Sequence, residues 1–182
     1  QKTGIIKKGI NTILLETRVL SILKKKTCEV SYDLILYSTP PITFYNAINY
    51  IKRRDNSKTY LLLKDIFPQN AVDLGYMKTK GVMGIVYAYF RKKERQIYRI
   101  SDFIGCMSPA NKDYVINHNR DLDPDKIEVC PNSIAPINIH LSRDEKMRIR
   151  NQYKIPNDKT VFIYGGNLGK AQNIGFIQQV LL

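Results

Sequence analysis

The sequence is poor in acidic residues, in histidine and cysteine, and in long apolar runs. Its 182 residues include 16 Asp and Glu against 29 Lys and Arg, with only 2 His and 3 Cys. No apolar run approaches the roughly 20 residues that a membrane-spanning helix needs. Cys28, Cys106 and Cys130 show no CxxC spacing and no histidine at ligand spacing, which argues against a zinc site and predicts buried, reduced thiols.

The remaining composition is that of a globular protein. Hydrophobic residues make up 43% and charged residues 25%, which excludes a disordered chain and a coiled coil. A chain of this length forms a core without disulfides, and it is long enough for one domain and part of a second.

The net charge of +13 is the unusual quantity. Residues 1–28 and 78–100 each carry seven cations and one carboxylate, so these two stretches hold 12 of the 13 excess charges. Such an excess indicates an anionic partner. Its concentration in two predicted helices, rather than across several elements, favours a membrane surface over nucleic acid.

Short apolar runs alternate with segments of helical periodicity, and this order predicts a parallel α/β sheet with flanking helices. Several of the runs lack polar alternation, so we expect strands buried on both faces. The predicted strands are residues 33–38, 58–67, 103–107, 126–130 and 160–164. The predicted helices are residues 9–26, 45–54, 81–99, 110–117 and 143–153.

The pattern also predicts a domain boundary. A proline-containing segment near residue 135 interrupts the alternation, and a new strand and glycine turn follow a further helix. We therefore expect a first domain over residues 1–135, a linker with a helix over 136–156, and the start of a second domain over 157–182. The chain begins without an initiator Met or a signal peptide, and both ends interrupt the pattern, so we expect a fragment of a longer protein.

Polar residues follow two of the predicted strands. Ser38 and Thr39 precede two prolines. Lys64 and Asp65 stand directly after the apolar run TYLLL, at the end of the strand predicted over residues 58–67, and Asn70 follows that strand. Open parallel sheets bind ligands at the carboxyl ends of their strands, so these side chains are predicted to line a crevice. The structural alternatives are a hydroxyl that caps the helix beginning at residue 45, and solvated charges at the sheet edge.

A glycine turn, GGNLGK, follows the strand predicted over residues 160–164. Backbone N–H groups of such a turn and the N-terminus of the next helix bind phosphate. The turn matches neither the Walker A nor the dinucleotide pattern, and tight βα packing alone also accounts for its glycines.

The predicted helix over residues 81–99 begins apolar and ends basic. This order is typical of a helix at a membrane interface, and equally of a crossover helix whose terminal cations complement the helix dipole. The acidic loop over residues 121–125 lacks the further ligands of a calcium site and predicts a turn, without a metal.

The segments YDLILYSTPPITF, KTYLLLKDIFPQNAVDLG, IGCMSPANKDYV, KIEVCPNSI and FIYGGNLGKAQNI, in this order, resemble retaining GT-B glycosyltransferases of family 4. The similarity is to the N-acetylfucosaminyltransferase type of bacterial polysaccharide and O-antigen synthesis, and it covers nearly the whole chain. It implies the Rossmann-like N-terminal half of a GT-B fold and the first βα unit of the second half. It further implies a hexosyltransferase that moves a sugar from a nucleotide-sugar to a lipid-linked saccharide without a metal or cofactor.

The resemblance also implies roles for individual residues. Lys64 and Asp65 would lie beside the transferred sugar, where relatives commonly keep a histidine that this chain lacks. The acceptor site would contain Ser38, Thr39, Asn70 and Ser108. The donor diphosphate would be bound by Gly165, Gly166, Asn167, Gly169 and Lys170. Asn167 stands where relatives have arginine, which leaves Lys170 as the cation.

This family works at the cytoplasmic face of the bacterial inner membrane, so we expect a cytoplasmic protein in peripheral contact with anionic lipid. The relatives' acidic pair for the donor would lie beyond Leu182, and the fragment alone is expected to be inactive. Two alternatives remain, a basic α/β module that binds nucleic acid and a catalytically degenerate scaffold, although the sequence contains no stacking-aromatic RNP pattern.

Overall fold

A computed structural model describes residues 5–26 and 29–181, with side chains from residue 14 onward. Two of the predicted features are only partly described. One of the predicted thiols, Cys28, lies outside the described residues. Of the first basic stretch, Lys2 and the side chains of Lys7 and Lys8 lie outside them. The described chain divides into two compact units, Gln1–Asn132 and Ser133–Leu182.

The first unit contains a four-stranded sheet with strand order β1-β2-β3-β4, and every neighbouring pair is parallel. The prediction of a parallel α/β fold with flanking helices is confirmed, and the fold is Rossmann-like. The strands are β1 (Leu34–Thr39), β2 (Lys58–Leu63), β3 (Phe103–Cys106) and β4 (Ile127–Val129). The helices of this unit are α1 (Ile5–Lys26), α2 (Tyr45–Asp55), α3 (Gln69–Asp73), α4 (Gly81–Ile100) and α5 (Pro109–His118).

The core lies on one face of the sheet. Inward residues of β2, β3 and β4 pack there against Ile97 and Tyr98 of α4 and Val115 of α5. The opposite face is open, since Leu36 remains 61% and Phe103 49% exposed. The expectation of strands buried on both faces is therefore wrong for this unit. The reason is the strand order: each strand pairs with the next one along the chain, and right-handed crossovers in a single direction place all connecting helices on the same side of the sheet.

A buried carboxylate attaches α1 to this framework. Glu16 accepts a hydrogen bond from the Asn46 amide at the start of α2, at 2.6 Å, and its other oxygen lies 3.3 Å from the Lys93 ammonium of α4. Removing a charge from water is costly unless it is paired and hydrogen-bonded, and here both conditions are met. The contact links the first basic stretch, on α1, to the second, on α4.

The second unit contains α6 (Arg143–Gln152) and α7 (Ile174–Leu181). Ser142 and Glu145 form a capping box that begins α6. The strand predicted over residues 160–164 is not formed, because no neighbouring strand in the described chain supplies the ladder hydrogen bonds. Phe162, Ile163 and Tyr164 instead lie beside α7 across an apolar cleft of about 180 Å³.

Candidate functional site

A crevice opens at the carboxyl ends of β2 and β3, where the sequence predicts a ligand site. Its volume is about 370 Å³. Three segments build it: the residues directly after β2, the short helix α3, and the first turns of α5. The lining residues are Lys64, Asp65, Ile66, Gln69, Asn70, Asp73, Ala110, Asn111 and Tyr114. We call this cavity the crevice.

The predicted pair Lys64 and Asp65 is exposed at the crevice rim. The charged side chains emerge here because the preceding residues of β2, Leu61 and Leu63, are fully buried in the core. Asn70 lies deeper, and its Oδ1 atom is buried without a hydrogen-bond partner in the described part of the chain. An unpaired buried acceptor is rare in folded proteins and marks a position where a donor is missing.

The predicted hydroxyls of Ser38, Thr39 and Ser108 do not line the crevice. Thr39 is only 1% exposed, and its Oγ1 donates to the carbonyl of Asp65 at 3.2 Å. Ser38 is half-buried and Ser108 caps α5, accepting the amide hydrogen of Asn111 at 3.2 Å. Neither Ser38 nor Thr39 caps α2, because Phe44 is its N-cap and supplies no side-chain hydrogen bond. The capping alternative is thus wrong, and Thr39 holds the segment that carries Asp65.

Four polar lining residues were missed by sequence reasoning: Gln69, Asp73, Asn111 and Tyr114. Gln69 and Asp73 belong to α3, whose five residues give too little periodicity to predict a helix, and the Gln69 amide donates to the Asp73 carboxylate at 2.8 Å. Asn111 and Tyr114 begin the helix after β3. The rule that places polar residues at the carboxyl edge of a parallel sheet would have found Asn111 in the first turn, whereas Tyr114 comes from the second turn.

The local charge of the crevice is opposite to that of the chain. Lys64 is the single cation among its lining residues, whereas Asp65 and Asp73 are both carboxylates. Carboxylate and amide oxygens accept hydrogen bonds from hydroxyl groups, and the two carboxylates repel a phosphate. Burial raises the pKa of Tyr114 above its ordinary value, so its phenol also stays neutral. The site therefore fits a neutral, hydroxyl-bearing ligand.

The outward face of α4 carries a second feature. Buried Glu94, Ile97 and Tyr98 face the core. The opposite side presents an exposed row that we call the outer stripe, apolar in its first half and cationic in its second. Its residues are Val82, Ile85, Tyr89, Lys92, Arg95 and Arg99. Val82 and Ile85 are 82% and 72% exposed.

The two ends of the outer stripe lie at different edges of the sheet. The helix α4 connects β2 to the parallel strand β3, so it runs antiparallel to both. Its apolar half begins at the carboxyl edge, which also holds the crevice, and its cationic half lies toward the amino edge. No helix among residues 5–26 and 29–181 combines the length and the apolarity that crossing a bilayer requires.

The glycine turn belongs to the second unit. Gly165, Gly166, Asn167, Gly169 and Lys170 are exposed. The Gly169 N–H donates to the side-chain oxygen of Gln172 at 3.1 Å, and the Asn167 carbonyl accepts from the Tyr164 hydroxyl at 3.0 Å. The turn does not enter a helix directly, contrary to the prediction. A 3-10 turn over Lys170–Gln172 intervenes, and α7 begins only after Asn173, whose φ of 48° is left-handed.

The fold and the crevice together define the first unit as a Rossmann-like α/β domain with a polar crevice at the carboxyl edge of its sheet. In comparisons with known proteins, no protein-family model and no curated protein matches the chain.

Proposed function

We propose that the crevice binds the saccharide acceptor of a retaining glycosyltransferase, which receives a sugar from a nucleotide-sugar donor. The observation that carries the proposal is the acidic balance of the crevice within a strongly basic chain. A diphosphate would be repelled by Asp65 and Asp73, whereas a saccharide hydroxyl donates to either carboxylate.

The remaining polar groups suit the same ligand. The unpaired Oδ1 of Asn70 accepts one further hydroxyl proton, and Lys64 donates to a ring or hydroxyl oxygen. The Thr39 hydroxyl donates to the backbone carbonyl of Asp65, and this hydrogen bond holds the backbone that carries the Asp65 carboxylate at the rim. In this proposal Asp65 orients the hydroxyl that attacks the donor sugar.

The outer stripe supports a lipid-linked acceptor at a membrane surface. Exposed valine and isoleucine beside tyrosine suit the headgroup boundary, and Lys92 and Arg95 suit lipid phosphates. Arg99 is paired with the Asp121 carboxylate at 2.8 Å. Lys92 and Arg95 form no hydrogen bond to another described residue, so their donors are available to such phosphates. The apolar half lies at the sheet edge that holds the crevice, as a saccharide attached to lipid requires.

Binding of neutral sugars by the chain tests the proposal. We expect the methyl glycosides of neutral hexoses and N-acetylhexosamines to shift the amide resonances of Asn70 and Asn111 in NMR titrations, with inorganic phosphate as the competing probe. Asp73→Asn should weaken glycoside binding about tenfold, because a charge-assisted hydrogen bond is lost. Asp113→Asn, at an exposed carboxylate of α5 outside the crevice, is the matched control. Phosphate binding in the crevice with no glycoside binding would contradict the proposal.

A further inference from the structure

One row of side chains on α5 leads into the crevice. Ala110, Tyr114 and His118 are four residues apart, so they lie on one face of the helix. The rings of Tyr114 and His118 stack with centroids 3.9 Å apart and planes 16° from parallel. The Nδ1 atom of His118 lies 2.8 Å from the Tyr114 carbonyl oxygen, which fixes the imidazole in this position.

The row has an open end. Side chains of a helix lean toward its N-terminus, so His118 covers the face of the Tyr114 ring that is nearer the C-terminus of α5. The other face points toward Ala110, which is exposed and carries only a methyl group. Both Ala110 and Tyr114 line the crevice. The space that a third ring of the row would occupy is therefore part of the crevice.

We propose that a saccharide ring occupies this space, stacked on Tyr114 above Ala110. The inference rests on the proposed function and specifies the platform of that site. A pyranose ring has an apolar C–H face and a rim of hydroxyls. The crevice offers the matching arrangement of one aromatic ring with carboxylate and amide side chains around it. His118 does not contact the sugar and is a positioning residue for Tyr114.

The surrounding groups favour a sugar over a nucleotide base at this platform. Asp65, Asp73 and the free Oδ1 of Asn70 are acceptors, so the complementary ligand is rich in O–H donors. A nucleotide would bring phosphate next to the two carboxylates. The platform therefore selects a neutral ring with hydroxyls on its edge.

A steric test distinguishes this platform from the crevice as a whole. Ala110→Leu fills the space above Tyr114, and leucine has nearly the helix propensity of alanine, so the fold is retained. Asn117→Leu adds leucine at another exposed position of α5 that does not line the crevice. In the methyl glycoside titrations we expect about tenfold weaker binding for Ala110→Leu and for Tyr114→Val. Tyr114→Phe keeps the ring and should bind more tightly than Tyr114→Val. Binding to Asn117→Leu should be unchanged.

The positioning role of His118 has its own readout. His118→Ala should weaken glycoside binding, and His118→Phe should restore it, since a flat ring behind Tyr114 is what the proposal requires. Glycoside binding that is weakened by Asp73→Asn but not by Ala110→Leu would overturn the platform and leave the proposed function standing. Absence of glycoside binding by the unsubstituted chain would overturn both.

Discussion

Replacing Lys52 by methionine should destabilise the first unit, because this ammonium completes a hydrogen-bond network between α2, β2 and the connection from α4 to β3. It donates to the Ile100 carbonyl at 2.7 Å and to Asp102 Oδ2 at 2.8 Å. The Thr59 hydroxyl has one proton but lies 2.9 Å from the first acceptor and 2.8 Å from the second. The Lys52 ammonium also donates to the Thr59 hydroxyl oxygen at 3.1 Å, and Asp102 Oδ2 also accepts the Thr59 backbone N–H at 2.8 Å. Lys52→Met retains the aliphatic stem, removes the hydrogen bonds of the ammonium and leaves the partly buried Asp102 carboxylate without its counter-charge.

The magnitude follows from the type of contact. Hydrogen bonds to charged groups contribute about 1.5–3 kcal/mol. The side chains of Lys52 and Asp102 each remain 26% exposed, so water replaces part of the lost contact and the lower end applies. We expect the free energy of unfolding to fall by about 1.5 kcal/mol and the melting temperature by about 3–6 °C for a chain of this size.

The effect should depend on pH. Burial acts to raise the pKa of Asp102, but hydrogen bonds from Lys52 and Thr59 outweigh it and lower the pKa to about 2. An aspartate of the unfolded chain titrates near pH ~3.9. A folded-state pKa below the unfolded value gives stability that is present above that pH and is lost as the pH falls toward 2.

Urea unfolding followed by circular dichroism, at neutral pH and at a pH of about 2.5, measures both quantities. The matched control is Lys58→Met, since Lys58 is exposed at the start of β2 and its ammonium forms no hydrogen bond to a described residue. Equal stability of the two variants at neutral pH, or a difference between them that does not shrink in acid, would refute the reasoning.

Two further predictions concern the open face of the sheet and the outer stripe. Gly105→Ala should lower the free energy of unfolding in urea by about 1–3 kcal/mol, because the new Cβ would lie 2.7 Å from the Cβ of Cys130. The control Gly165→Ala should lower it far less, because nothing lies within 4 Å of the new Cβ. Ile85→Asn should reduce co-flotation with vesicles that contain anionic phospholipid, whereas Ile137→Asn, at a similarly exposed isoleucine of the second unit, should not. Binding to RNA without association with these vesicles would contradict the membrane proposal.

The longer helices and the strands of the first unit were predictable because their apolar spacing is determined by one continuous core. The exceptions are α3, which was not predicted, and the strand predicted over residues 58–67, which ends at Leu63. The predicted helix over residues 81–99 and α4 differ by one residue at the C-terminus. They agree because the apolar residues that face the sheet, among them Ile97 and Tyr98, recur at helical spacing. The open sheet face was not predictable, because whether a strand is covered on one side or both depends on the strand order. Leu36 and Leu61 are both apolar, yet one is exposed and the other buried.

The site was predictable only where a strand end carried it. Lys64, Asp65 and Asn70 follow β2 closely, and the rule for parallel sheets found them. Tyr114 reaches the crevice from the second turn of α5, and it gains its ring partner His118 only when that helix is formed. The hydroxyl of Thr39 was assigned to a ligand, but the burial that turns it toward Asp65 is a tertiary effect.

The outer stripe and the crevice constrain each other if both act on one lipid-linked ligand. Ile85 and Arg99 are fourteen residues apart, about 21 Å along a helix, so both reach one membrane surface only when α4 lies parallel to it. The strands run antiparallel to α4 and are then also parallel to the surface. The crevice at their carboxyl ends consequently opens along the membrane plane, beside the apolar half of the stripe. Under the proposed function, a saccharide whose lipid stays in the bilayer would enter the crevice from that side.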